Sequence, residues 1–155
     1  MSISNARADR YALLSTKYLC PQCKKQAITA AITLTAGHFV RESAEEGWTA
    51  ADGGTVLLSN IVDLNYDAMD VLRSAGAPMS MDMSFSSTER YLMNHCEHCG
   101  AKFGDYYLVT PGRVFNPLSH AEAALISLKN IVGPLEAEAD WVTASNLHEF
   151  LFKEH

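Results

Sequence analysis

The sequence predicts an α+β fold, a single antiparallel β domain with a helical segment at its C-terminal end. Three observations lead there. The run Ala27 to Thr35 alternates with the period of two that belongs to a strand with one buried face. All four cysteines fall into two pairs of identical spacing, Cys20-Pro21-Gln22-Cys23 and Cys96-Glu97-His98-Cys99. Beyond Pro117 the pattern changes to helical periodicity with capping residues. A length of 155 residues, 48% hydrophobic and 19% charged, supplies one core of ordinary size over residues 1–155 and excludes two full domains.

Taken in order, residues 5–19 open with a short polar start. Tyr11, Leu13, Leu14, Tyr18 and Leu19 follow, the last of them a strand leading into the first cysteine pair. After that pair, Ile28, Ala30, Ile32 and Leu34 form one face and Thr29, Ala31, Thr33 and Thr35 the other. Gly37 to Val40 extends or pairs with this strand, and Glu42 to Gly47 is an acidic loop. Asp52-Gly53-Gly54 is turn chemistry, followed by a strand or strand pair over Thr55 to Val62. Asn65 or Asp67 caps a short helix from Ala68 to Ala75 that ends at Gly76.

Residues 78–86 place Met79, Met81, Met83 and Phe85 on one side of an extended segment. A thioether row could take Cu(I), but adaptable apolar packing explains it more simply. Phe103 to Val109 reads as another strand. Ser119 with Glu122 is a capping box, after which Ala121, Ala124, Leu125, Leu128, Ile131 and Val132 line one helical face until Gly133-Pro134. Pro134 to Thr143 reads as another short helix, and Asn146 with Glu149 caps a last one carrying Leu147, Phe150 and Leu151.

Two residues between thiolates let a tight turn aim both sulfurs at one ion, so Cys20, Cys23, Cys96 and Cys99 together supply a closed tetrahedral site for Zn²⁺. Iron is the other metal such a set takes. The long segment 24–95 between the pairs excludes a small finger and makes that insertion the bulk of the fold. Cys20-Pro21-Gln22-Cys23 alone looks like a glutaredoxin pair, yet a redox pair opens a helix, and here an alternating strand follows. Structural disulfides need an oxidising compartment that the N-terminus does not suggest, and four free thiols would not arrange themselves as two such pairs. His95 and His98 flank Cys96 and could replace a cysteine, although four thiolates already complete the shell. In a treble clef the second knuckle opens a helix, whereas in a zinc ribbon both knuckles are turns between strands. The strand reading of Phe103 to Val109 selects the ribbon, giving a zinc-ribbon β core over 18–116 and a helical tail over 117–155.

The run from Tyr91 through the second knuckle to Leu108 resembles the second half of a zinc-binding module in uncharacterised bacterial and phage proteins. Tyr18 to Lys25 is similar to that module's opening. The resemblance spans about residues 18–116 and implies zinc on Cys20, Cys23, Cys96 and Cys99. It implies no activity.

Lys and Arg total 12 against 18 Asp and Glu, a formal charge of −6, which repels phosphate backbones and anionic membrane surfaces. No apolar run approaches the roughly 20 residues of a membrane span, and the start lacks a secretory apolar stretch. A soluble cytoplasmic protein is expected.

Three function classes are consistent with these features. The first is a protein-binding module, an inhibitor, immunity or adaptor protein, whose Glu42, Glu45, Glu46, Asp63, Asp67 and Asp70 meet a basic partner. The second is nucleic-acid binding through Lys17, Lys24, Lys25 and Lys102 with Tyr18, Tyr91 or Phe103 stacking, a role the net charge disfavours. The third is an enzyme, sketched as an HNH-like metal nuclease around His95, His120, Asn146 and His148. Its usual motif is not recognisable, and four thiolates leave no open coordination position. The expectation is therefore a non-enzyme. The sequence leaves the oligomeric state open.

Overall fold

The structure, a computed structural model, describes residues 4–35, 37–51, 54–86 and 88–152. Asp52 and Gly53 of the expected turn lie outside the described residues. The first ladder is long: β1 (Ala6–Leu19) runs antiparallel to β2 (Gln26–Leu34), from Ala12 opposite Thr33 to Leu19 opposite Gln26. The strand expected only for the end of segment 5–19 thus occupies nearly all of it. β3 (Phe39–Val40) pairs with the start of β1 and with β4 (Thr49–Ala50), and β5 (Val56–Leu64) pairs with the end of β2.

Helix α1 (Tyr66–Arg73) begins two residues before the position expected from Ala68. Asn65 stands at its N-terminal cap position, but its side chain is spent on the distant Pro134 carbonyl and Glu136 N–H, at 2.9 and 2.8 Å. A second antiparallel sheet contains β6 (Met79–Met83), β7 (Arg90–His95) and β8 (Lys102–Phe103). Short helices α2 (Tyr106–Val109) and α3 (His120–Ala123) precede the long strand β9 (Ser127–Thr143). The described chain ends in α4 (Ser145–Leu147) and a π-helical turn (His148–Phe152). Among the described residues no helix is long and apolar enough to cross a membrane.

The architecture is mostly antiparallel sheet with a few short helices near the C-terminus, the α+β class expected. The long helix expected from Ser119 to Val132 and the short one expected over Pro134 to Thr143 are corrected. Ser119 does cap α3, its hydroxyl accepting from the Glu122 N–H, but the helix lasts four residues. From Ser127 the chain pairs with β1 on one side and from Thr143 back to Ala137 with β5 on the other. Two long-range ladders there outweigh local helical periodicity. Leu135, Ala137 and Ala139 are buried while Glu136 and Asp140 face outward, the alternation of a strand. Gly133-Pro134 is no helix stop: the β1–β9 register shifts by one residue there, and a bulge is where a strand tolerates proline. The 117–155 tail is therefore chiefly a sheet strand. Ala144, not Asn146, stands before α4, and the Asn146 amide donates to the Pro117 carbonyl.

Since β1 pairs β2, β2 pairs β5, β5 pairs β9 and β9 pairs β1, these four strands close a ring that separates two apolar layers. Alternate residues go to opposite layers. Leu13, Ala30, Ile32, Leu58, Leu135 and α1's Leu72 fill the first. Leu14, Ala31 and Leu57 fill the second together with Cys20, Cys96, Phe103, Leu108 and Phe115. Ile32 and Leu34 are fully buried, each contributing about 1.5–3 kcal/mol. Thr29 and Thr33 are buried too, and their hydroxyls donate to the Thr16 and Val56 carbonyls. The second layer holds the cysteines.

Candidate metal centre

Each cysteine pair occupies a turn between two antiparallel strands, the first between β1 and β2, the second between β7 and β8. The turns match bond for bond. Cys20 N–H donates to the Lys25 carbonyl and Lys24 N–H to the Cys20 carbonyl, both at 2.9 Å. Cys96 N–H donates to the Ala101 carbonyl at 2.7 Å and Gly100 N–H to the Cys96 carbonyl at 2.9 Å. Both turns need a left-handed residue one place after the second cysteine, and there Lys24 has φ 64° and Gly100 φ 78°.

Glycine adopts that conformation without steric cost, whereas lysine does not. Lys24→Gly is therefore expected to stabilise the metal-loaded protein by about 0.5–1 kcal/mol, and Gly100→Lys to cost at least as much. Urea midpoints under metal-buffered conditions measure both. An unchanged midpoint for Lys24→Gly would show that the first turn carries no strain.

The four sulfurs lie within 4.8 Å of one another, with Cys20 Sγ 3.7 Å from Cys99 Sγ and Cys23 Sγ 3.7 Å from Cys96 Sγ. A disulfide needs about 2.05 Å, so these are four free thiols. A tetrahedral shell with metal–sulfur bonds of about 2.3 Å has sulfur–sulfur edges of about 3.8 Å. The cluster thus has the dimensions of a four-thiolate metal site. Cys20 and Cys96 are buried, Cys23 is half-buried and Cys99 exposed, and Phe103 packs edge-on against Tyr18 at 4.9 Å within the same apolar layer.

The protonation of the set favours a cation. Backbone N–H of Cys23, against the effect of burial and aided by Gln22 N–H and the Cys99 and Cys23 thiols, pulls Cys20 down to about 6. At Cys99 the Ala101 N–H pulls down, but burial and the sulfurs of Cys20, Cys96 and Cys23 outweigh it and push the thiol up to about 11. One thiolate forms readily and then resists the others. A dication removes that resistance.

Neither flanking histidine joins the cluster. His95 Nε2 is 2.8 Å from Asp82 Oδ2, and the Ser80 hydroxyl stands 3.5 Å from its Nδ1, the outer limit of a hydrogen bond. That bond, with Met83 N–H and Lys102 behind it, holds Asp82 below the usual carboxylate range. His98 Nε2 is 3.0 Å from the Gln26 carbonyl.

His98 belongs to a set of side chains that sequence reasoning missed. The Asn94 amide both accepts from Ala30 N–H and donates to the Ala30 carbonyl, at 2.9 and 3.0 Å, and Glu97 accepts from Ile28 N–H at 2.9 Å. With His98 on Gln26, these side chains cover every second residue along the edge of β2 that faces no strand before Thr33. The second knuckle is thereby bonded to the first hairpin independently of any ion. The interval of three or four residues between Asn94, Glu97 and His98 carries no motif that would have announced it.

Other nominated residues are dispersed. Glu42, Glu45, Glu46, Asp63, Asp67 and Asp70 are all exposed, the first three in the loop between β3 and β4, the rest on the end of β5 and on α1. Lys17, Lys24 and Lys25 are exposed, but Tyr91 and Phe103, named as stacking rings, are buried. Lys102 donates to the Met83 carbonyl and lies 4.5 Å from the Phe85 ring centre. His120 stacks on Phe150 and Asn146 holds Pro117, while His95 sits on β7 with Asp82. Among the described residues, the four cysteines are the group of three or more metal-ligating side chains that forms. Comparison of the chain with protein-family models, curated proteins and solved structures finds no match.

Proposed function

We propose that the chain is a zinc-stapled protein-binding module without catalytic activity, a small cytoplasmic inhibitor, immunity or adaptor protein of the bacterial and phage zinc-ribbon kind. The observation that carries this reading is where the cysteine cluster lies. Its two halves come from different sheets, so a metal there joins the β1–β2 hairpin to the β7–β8 hairpin. Four thiolates also fill a tetrahedral shell, which leaves no position for a substrate or an activated water. Zinc suits four thiolates in a site with no redox work, and metal analysis of the purified protein distinguishes it from iron.

The surface chemistry supports a basic protein as partner, since the acids Glu42, Glu45 and Glu46 in the β3–β4 loop and Asp63, Asp67 and Asp70 on β5 and α1 are all exposed. A tagged pull-down from host-cell lysate tests this. The expected result is a stoichiometric protein that survives nuclease treatment and is lost when Glu42, Glu45 and Glu46, or Asp63, Asp67 and Asp70, are replaced by lysine. Recovery of nucleic acid alone, or of proteins released by nuclease, would instead support the lysines around the first knuckle.

A further inference from the structure

A cleft of about 460 Å³ opens between β5, the segment after β6 and helix α2, a volume in the range of small-ligand sites. Asp105 lies in its wall and is only 8% exposed. The buried position is built by two long-range contacts. Asp105 Oδ2 accepts from the Asn60 N–H at 2.8 Å, and its own N–H donates to the Tyr91 hydroxyl at 3.0 Å. Asn60 presents that N–H from a left-handed conformation, φ 49°, at the point where the β5–β9 register breaks between Ser59 and Asp63. A bulge at such a place re-aims backbone groups toward a site.

The rest of the cleft is aromatic. Phe85, Tyr106 and Tyr107 line it and are 67%, 64% and 47% exposed, three large rings left open around one buried acid. Their faces suit cations: Lys102 Nζ lies 4.5 Å from the Phe85 ring centre and the Arg113 guanidinium 5.9 and 5.8 Å from Tyr106 and Tyr107. Neither of those cations lines the cleft. A neighbouring recess of about 370 Å³ shares Asn60 and Tyr91 and is lined as well by Glu89, Arg90, Glu138 and Asp140. An anion would meet like charge in both recesses, and a neutral apolar ligand would cover the Asp105 carboxyl without compensating it.

We propose that this cleft binds an organic cation, an alkylammonium or guanidinium group, with Asp105 as counter-charge and Phe85, Tyr106 and Tyr107 as aromatic walls. The assignment does not depend on the protein-partner reading above. It also accounts for a carboxyl that burial pushes up to about 7, since a bound cation would place an opposite charge beside it.

Calorimetric titration of the full-length, metal-loaded protein with spermidine and with arginine amide tests the site, with 1,4-butanediol as the neutral control. Saturable one-to-one binding of at least one cation, tighter than about 1 mM, is expected, and none of the diol. Asp105→Asn should weaken it about ten-fold or more, while Asp9→Asn, an equal charge change at an exposed residue of β1, leaves it unchanged. Phe85→Ala and Tyr106→Ala, at exposed rings, should each weaken it several-fold and provide the test should the Asp105 variant not fold. Absence of saturable binding, or weakening by Asp9→Asn equal to that by Asp105→Asn, would overturn the proposal. So would affinity indifferent to both the ring variants and Asp105→Asn.

Discussion

Removing the metal from the folded protein is expected to unfold most of it. In small zinc-binding peptides the ion contributes apparent binding free energies of about 10–16 kcal/mol, whereas whole domains are stable by about 5–15 kcal/mol. Here the four ligands lie at the junction of two hairpins, and two of them, Cys20 and Cys96, are buried in the second apolar layer. Without the ion, sulfurs 3.7 Å apart must share protons, and each further ionisation meets the charge of the first. A loss of even about 5 kcal/mol lowers the melting temperature of a chain this size by about 10–20 °C. Cys96→Ser, or chelation of the wild type, should therefore bring a drop of that order or more, together with loss of the bound metal. The bonds from Asn94, Glu97 and His98 to β2 retain part of the junction, so residual β structure is expected in the apo protein. Melting of the metal-free protein at the temperature of the loaded one would show that the cysteines do not staple the fold.

The cluster was legible because identical spacing is a local signal and both turns obey it. Strand β2 was legible for the same reason: Ile28, Ala30, Ile32 and Leu34 alternate and face one apolar layer. The expected single buried face is corrected, since Ala27, Thr29, Ala31 and Thr33 on the other face are buried too. Strand β9 was hidden by competition between two periodicities. Ser119 and Glu122 do form a cap, and Ala121 to Val132 can be laid on a helical face, but the alternation of Leu135, Ala137 and Ala139 with Glu136, Glu138 and Asp140 was the pattern that the ladders to β1 and β5 selected. Pro134 carried too much weight as a stop signal because a bulge accommodates it. The strand expected over Phe103 to Val109 ends at Phe103. Gly104 and Asp105 break it, and Leu108 and Val109 N–H return to the Asp105 carbonyl. Nothing local marks Asp105 as buried, since its burial depends on an Asn60 bulge 45 residues away. Long-range polar contacts of this kind leave no periodicity to read.

Asp105→Asn is expected to make the protein more stable at alkaline pH and to flatten its pH dependence. Burial raises the carboxyl from 3.8 to about 7, against the hydrogen bond from Asn60 that favours the charged form. A folded-state value above the unfolded one means that the native protein holds its proton more tightly. The stabilisation is complete below about 4 and is lost as pH rises through about 7. The shift of roughly three units corresponds to about 4 kcal/mol over the whole range, and to about 1.4 kcal/mol between about pH 6 and 8.5. An asparagine keeps a carbonyl oxygen for the Asn60 N–H and never has to charge, so the variant gains about 3 kcal/mol over wild type at about pH 6, about 4 kcal/mol at about pH 8.5, and little only below about pH 4. Thiolate binding to metal runs the other way, weakening as pH falls, so denaturation is measured at saturating zinc and above about pH 6, and the difference between the two proteins isolates the carboxyl. Parallel pH curves would show that Asp105 is not buried as a carboxyl. A variant that is both more stable and unable to take up an organic cation would identify the acid as kept at a cost to the fold, the relation expected of a residue held for binding and not for packing.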